Sequence, residues 1–228
     1  MAIKPEAELD RRPILQRATT WARAMARLCA EADISPNAIS VFGLAVAVLA
    51  GLGFALTSVF PEQDRLLLIA GAALIPARLL ANMLDGMVAV EWGRATRAGV
   101  LFNEAPDRLA DMAILIGAGY ANGGDPTLGY LAACTALLVA YVRTLASKAG
   151  APSDFRGPMA KGHRMITVTF AALYAAIAPP SWQPSWGPEQ EWGVFAIALT
   201  VICVGGIATA ARRLRTAVRY LNGLPDPD

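Results

Sequence analysis

The sequence predicts an all-α integral membrane protein: a bundle of six transmembrane helices preceded by an amphipathic helix at the membrane interface. Three observations carry this. Hydrophobic residues make up 55% of the 228 positions and charged residues 17%, where a soluble domain carries about 25% charged. Mean hydropathy is +0.43. The stretches Ile34 to Pro61, Met165 to Pro188 and Trp192 to Ala211 hold no charge at all, and crossing the hydrocarbon of a bilayer takes about 20 residues. This composition excludes a disordered chain and argues against a soluble enzyme. A formal net charge of +2 argues against a nucleic-acid partner. Cys29, Cys134 and Cys203 are isolated in apolar surroundings, with no disulfide or metal-clip spacing, and read as small core residues. No cleavable amino-terminal signal is expected, because the first apolar run starts deep in the chain without a small-residue cleavage pattern before it.

Residues 1–33 read as a cytoplasmic arm. Within it, Arg11 to Glu31 sets Ile14, Ala18, Trp21, Met25 and Leu28 at three- and four-residue spacing, with arginines between. Such a helix lies in the membrane surface. Ser35-Pro36 then opens the first span, a capping hydroxyl followed by a residue suited to the first helical position. Three further spans hold charges: Leu66 to about Val90 contains Arg78 and Asp85, about Asn103 to Tyr120 begins with acids, and Pro126 to about Ser147 contains Arg143. With the three uncharged runs they complete a domain over residues 34–220, and residues 221–228 form a tail. Lysines and arginines collect before the first span, in alternate loops and at Arg212, Arg213, Arg215 and Arg219, while the other loops hold Glu62, Asp64, Asp125, Glu189 and Glu191. Basic flanks stay on the cytoplasmic side, so both termini are expected there. The carboxy-terminal arginines are expected at anionic lipid heads, Trp182, Trp186 and Trp192 in an outer interfacial belt, and Gly51, Gly53, Gly205 and Gly206 at close helix contacts.

The stretch Asn82 to Asp111 carries the chemistry. Asn82, Asp85 and Ala89 share one helical stripe, and Gly99, Asn103, Asp107 and Asp111 repeat every four residues on another. Ionisable groups inside spans mark functional sites by default. Carboxylate and amide oxygens without thiols or imidazoles suit hard divalent cations, which in turn suit phosphates. Pro106 removes one helical hydrogen bond just before Asp107 and is expected to bend the third span.

This stretch resembles the CDP-alcohol phosphatidyltransferases, whose signature is D-x2-D-G-x2-A-R-x8-G-x3-D-x3-D. Asp85, Gly86, Ala89, Gly99 and Asp107 match it at every interval, and Asn82, Val90 and Asn103 stand where the signature has other residues. Ser35-Pro36-Asn37, Tyr141-Val142-Arg143 and the segment Met159 to Arg164 resemble further family segments, so the likeness covers nearly the whole chain. A bacterial subfamily shares the N-x2-D-G and N-E pattern. The resemblance implies transfer of a phosphatidyl group from CDP-diacylglycerol to the hydroxyl of a small alcohol, releasing CMP. The acceptor is expected to be sn-glycerol 3-phosphate first and inositol phosphate second. It also implies Mg²⁺ or Mn²⁺, a homodimer, and an inner (cytoplasmic) membrane location with a cytoplasmic active site.

Within that resemblance, Asn82, Asp85, Asn103 and Asp107 are the expected metal ligands. Each Asn keeps an oxygen and loses a charge, which lowers affinity for a second metal; Glu104 and Asp111 would add carboxylates beside the site. Asp107 is the expected general base. Pro36, Asn37, Asp85, Gly86, Ala89, Thr96 and Gly99 are expected to bind the CDP-lipid. Arg143, Lys161 and Arg164 are expected to hold a phosphate on the acceptor, and Arg78 reads equally as a phosphate ligand or as the neutraliser of Asp85. Arg94 and Arg97 read as topology determinants and His163 as a solvated loop residue. Two readings compete: a prenyltransferase, which needs a second acidic motif that the later half of the chain lacks, and a non-catalytic pseudoenzyme or transporter, the latter disfavoured by the absence of an inverted repeat.

Overall fold

The computed structural model describes residues 19–96, 98–186 and 192–223. Arg97 and the Arg11 to Ala18 part of the expected amphipathic helix lie outside the described residues. Seven α-helices account for most of what is described. They are α1 (Thr20–Glu31), α2 (Pro36–Leu56), α3 (Asp64–Glu91), α4 (Gly99–Gly119), α5 (Pro126–Lys148), α6 (Lys161–Ile177) and α7 (Val194–Leu221). Local chemistry sets several starts. The Ser35 hydroxyl accepts from the Ala38 amide at 3.2 Å with Pro36 leading α2, and the Asp125 carboxylate accepts from the Leu128 amide at 2.8 Å with Pro126 leading α5. Both satisfy amide donors that a helix start otherwise leaves bare.

Helices α2 to α7 close a ring in which α2 packs on α3 and α4, α3 on α6, α6 on α7, α7 on α5, and α5 on α4, with α1 lying against α3. Fully buried Leu68, Ile75, Ile114, Met165, Leu199 and Ile202 fill the interior. Phe54 of α2 and Phe195 of α7 meet across it with ring centroids 5.5 Å apart. Of the glycines expected at helix contacts, Gly51 and Gly206 are tight: a Cβ on Gly51 would strike the Ala113 carbonyl and one on Gly206 the Thr135 methyl, whereas one on Gly53 would be in ordinary contact. A Cβ on Gly117, not among those expected, would meet the Gly51 backbone. Small residues let backbones approach where lipid supplies no hydrophobic drive between helices.

Among the described residues, four segments are long and apolar enough to cross a membrane: Pro36–Leu56, Pro61–Glu91, Pro126–Lys148 and Val194–Leu221. The chain is an integral membrane protein on these alone, but the expectation of six such helices is not met by length and composition. Helix α4 carries Glu104, Asp107, Arg108 and Asp111, and α6 has 17 residues. The uncharged run Met165 to Pro188 is not one helix. It starts earlier, at Lys161, and ends at Ile177, because Pro179 and Pro180 cannot continue an α-helix and turn the chain into a short 3₁₀ segment, Pro180–Trp182. Helix α7, by contrast, runs past Ala211 through the arginines to Leu221. Cys134 is exposed rather than core, and His163 is exposed on α6 rather than in a loop. On α1 the stripe that packs against the bundle is Ala22, Ala26 and Ala30, while Trp21, Met25 and Leu28 stay exposed.

Candidate active site

At the end of the ring where α1 and the α3–α4 and α5–α6 connections gather, a cavity of about 1080 Å³ opens. Helix α3 brings Asn82, Asp85, Gly86 and Ala89 to its wall, and α4 brings Gly99, Asn103, Glu104 and Asp107. The two stripes read from the sequence therefore face one space. Pro36 and Asn37 reach it from the start of α2, Thr96 from the α3–α4 connection, Arg143 from α5, and Lys161 and Arg164 from α6. Of the expected site residues, Arg78 and Asp111 do not line this cavity. Arg78 borders a much smaller void beneath it, together with Ser40, Asn82, Asp85, Asn103 and Asp107.

The charged groups are paired in a definite order. Arg78 is 1% exposed; it donates to Asp107 Oδ1 at 2.9 Å and to Asp111 Oδ1 at 3.2 Å. Asp85 is not its partner, so the sequence reading of Arg78 as the neutraliser of Asp85 gives way to one in which it pairs with Asp107 and Asp111. Arg164, also 1% exposed, donates to the other Asp111 oxygen at 2.7 Å and to the Met159 carbonyl at 2.9 Å. Asp111, expected as an additional metal ligand, is thus spanned by two guanidinium groups. Glu104 is spanned in the same way, by Arg108 and Arg143 at 2.8 Å each. Arg143 also lies over the Phe155 ring, 5.2 Å from its centroid. A buried charge keeps its place when paired and hydrogen-bonded, and these chains of alternating sign hold the floor of the cavity together.

Asp85 is different. It is 3% exposed and makes no ion pair among the described residues. The Ser40 hydroxyl donates to Oδ2 at 2.6 Å and the Asn103 amide to Oδ1 at 3.3 Å. Lys161 Nζ sits between the helices, donating to Asn82 Oδ1 at 2.6 Å and to Asp107 Oδ2 at 2.5 Å. No three His, Cys, Asp or Glu side chains converge as a metal cluster among the described residues. What the cradle does offer is an oxygen set of one uncompensated carboxylate, Asp85, flanked by the Asn82 and Asn103 amides. A half-turn of the Asn103 amide exchanges its nitrogen for its oxygen, and carboxylate plus amide oxygens are suitable ligands for one hard divalent cation.

Sequence reasoning missed several participants. Ser40 is one turn beyond Asn37 on the face of α2 that also buries Ile39, Gly43 and Ala47. Arg213 was read with the lipid-facing arginines, but it is 5% exposed, lines the cavity, and donates to the Arg156 and Val139 carbonyls at 3.0 and 3.2 Å. The signal was available: Thr209, Arg213 and Ala217 recur every four residues on the buried face of α7. Arg94 does more than mark sidedness, since it pairs with Asp33 at 2.9 Å and bonds the Ala30 carbonyl at 3.1 Å, tying the α3–α4 connection to the end of α1.

Comparison with known proteins gives the same picture of fold. Residues 33–209 match the family model described as CDP-alcohol phosphatidyltransferase. The chain is 28% identical over 211 residues to the phosphatidylinositol phosphate synthase of Mycolicibacterium smegmatis, covering 90% of this chain and 86% of that protein. The crystal structure of Mycobacterium tuberculosis phosphatidylinositol phosphate synthase with CDP-DAG bound aligns with a TM-score of 0.67 at 21% identity, covering 87% of this chain and 94% of that one. The structure of that enzyme in complex with manganese and citrate gives a TM-score of 0.67 at 22% identity, covering 86% and 88%.

Proposed function

Since the chain belongs to the CDP-alcohol phosphatidyltransferase family, we propose that it transfers a phosphatidyl group from CDP-diacylglycerol to a hydroxyl of inositol phosphate, releasing CMP. The observation that carries this reading is one cavity in which an acid and amide cradle on α3 and α4 faces basic residues from α5, α6 and α7. The relatives named phosphatidylinositol phosphate synthases favour inositol phosphate over the sn-glycerol 3-phosphate that the sequence first suggested.

Asp85, with the Asn82 and Asn103 oxygens, would hold one Mg²⁺ or Mn²⁺, which supplies Lewis-acid neutralisation of the diphosphate. Gly86, Ala89 and Gly99 keep that wall free of bulk, so the nucleotide approaches the helices closely, with Pro36, Asn37 and Thr96 at its edge. Arg143 and Arg213 face the acceptor phosphate, and the basic wall they share with Lys161 and Arg164 orients the acceptor toward the cradle. Asp107 takes the proton of the attacking hydroxyl. Arg78 and Lys161 bond one lone pair on each of its oxygens and leave the others for that proton. The hydroxyl oxygen then bonds the lipid-bearing phosphorus as the bond from that phosphorus to CMP breaks. In this reading α4 and α6 also cross the membrane, with their charges turned into the ring. Residues 34–220 form the catalytic domain, and the cavity and both termini face the cytoplasm. The exposed Trp21, Met25 and Leu28 of α1 rest in the membrane surface.

Purified protein, Mn²⁺ or Mg²⁺ and CDP-diacylglycerol, offered inositol phosphate, sn-glycerol 3-phosphate and unphosphorylated alcohols, provide the test. CMP release is expected with inositol phosphate and metal. Release with glycerol phosphate instead would replace the acceptor, and folded, nucleotide-binding protein that releases no CMP with any of these acceptors would make it a pseudoenzyme.

A further inference from the structure

We propose that the Lys161 ammonium is a resident cation of this site: clamped between Asn82 and Asp107, it fills a cation position from within the chain, so that the cradle holds a single divalent metal, centred on Asp85. The inference rests on the transferase reading only for the identity of the cavity.

Three observations converge. Lys161 is the first residue of α6, and its side chain, 15% exposed, spans from there to oxygens on two other helices, Asn82 of α3 and Asp107 of α4. An ammonium bonded to oxygens on two helices occupies the bridging place that a metal between them would need. Second, the charge of the cradle is already half used. Asp107 is neutralised by Arg78 and Lys161, whereas Asp85 is hydrogen-bonded by uncharged donors, the Ser40 hydroxyl and the Asn103 amide among them, and makes no ion pair among the described residues. One carboxylate with amide neighbours matches one divalent cation; a second would sit against the lysine with no further anion to offset it, and like charges at such range repel strongly. Third, positions 82 and 103 are amides. An amide oxygen accepts from an ammonium as well as a carboxylate does, but brings no charge for a second metal. The carboxylates next nearest, Glu104 and Asp111, are each spanned by two arginines and offer none either.

The count of bound metal tests this without reference to catalysis. Full-length protein in detergent is titrated with Mn²⁺ and the free ion followed by electron paramagnetic resonance. One Mn²⁺ per chain is expected. Lys161→Met removes the resident charge and is expected to tighten that Mn²⁺ by about tenfold or more, while Lys161→Arg keeps a cation and the wild-type affinity. In the pair Asn82→Asp with Lys161→Met, the freed position regains a carboxylate, and two Mn²⁺ per chain are expected; Asn82→Asp alone is expected to stay at one. Two Mn²⁺ on the wild-type chain would overturn the proposal. So would a Lys161→Met protein, folded by its thermal transition, that binds Mn²⁺ with the count and affinity of wild type. A wild-type chain that binds one Mn²⁺ but forms no CMP would remove the transferase reading and leave the resident lysine standing.

Discussion

At the scale of the residue, the site is a set of charges whose partners decide their use. Asp107 faces the cavity and is ion-paired with Arg78 and Lys161. In the proposed role of proton acceptor, its loss is expected to be expressed in turnover: Asp107→Asn should lower kcat for CMP release about 10²–10⁴-fold, with the folded state retained in a thermal melt. Asp111, one turn further along α4, has the opposite job. It is 2% exposed, between Arg78 and Arg164, and removing its charge leaves the buried Arg164 guanidinium facing an uncharged amide and Arg78 paired with Asp107 alone. Asp111→Asn is therefore expected to cost about 3–5 kcal/mol, measured as a fall in the unfolding midpoint in detergent; an unchanged midpoint would show that the chain of pairs carries no stability. The four-residue spacing of Asn103, Asp107 and Asp111 was plain in the sequence, yet nothing in that spacing separates the carboxylate that faces the cavity from the one that is sealed beneath it.

At the scale of the element, prolines and glycines decided what hydropathy left undetermined. The uncharged run after Met165 extends to Pro188, and only the pair Pro179 and Pro180 stops α6 at Ile177. The reverse occurs in α7, where nothing breaks the helix at Arg212, so it continues through the arginines to Leu221 and carries Arg213 into the cavity. Pro106 lies within the continuous helix α4. The crossing of α2 and α4 depends on glycine at two facing positions. A Cβ at Gly51 would strike the Ala113 carbonyl, whereas one at Gly53 would lie 3.5 Å from the Leu67 carbonyl in ordinary contact. Gly51→Ala is thus expected to destabilise by about 1–3 kcal/mol through overpacking, and Gly53→Ala to be neutral or to stabilise by up to about 1 kcal/mol, because alanine is the better helix former. Thermal unfolding of the two variants side by side checks both signs.

At the scale of the whole molecule, the closed ring of α2 to α7 gathers its six helices around one mouth, and the basic connections lie at the same end. On the proposed orientation, with both termini and that mouth facing the cytoplasm, a cysteine at Glu62, in the turn before α3, should react with a membrane-impermeant thiol reagent in intact cells, and one at Lys148 only after permeabilisation. The native Cys29, Cys134 and Cys203 are replaced by Ala for this experiment. Labelling of Lys148→Cys from outside would invert the arrangement.

What the sequence determined by itself was whatever a single helix contains. The helical membrane class follows from long uncharged runs, and the registers of Asn82 with Asp85 on α3 and of Asn103 with Asp107 on α4 follow from a 3.6-residue period, because side chains on one helix keep their angular relation wherever that helix is packed. What only the tertiary structure decided was which cation meets which anion. Arg78 to Asp107 and Asp111, Lys161 to Asn82 and Asp107, and Arg213 turned into the cavity are relations between different helices. They depend on how α6 and α7 are rotated and shifted against α3 and α4. That rotation is set by small-residue contacts and the filling of a shared core, which no period along one segment records.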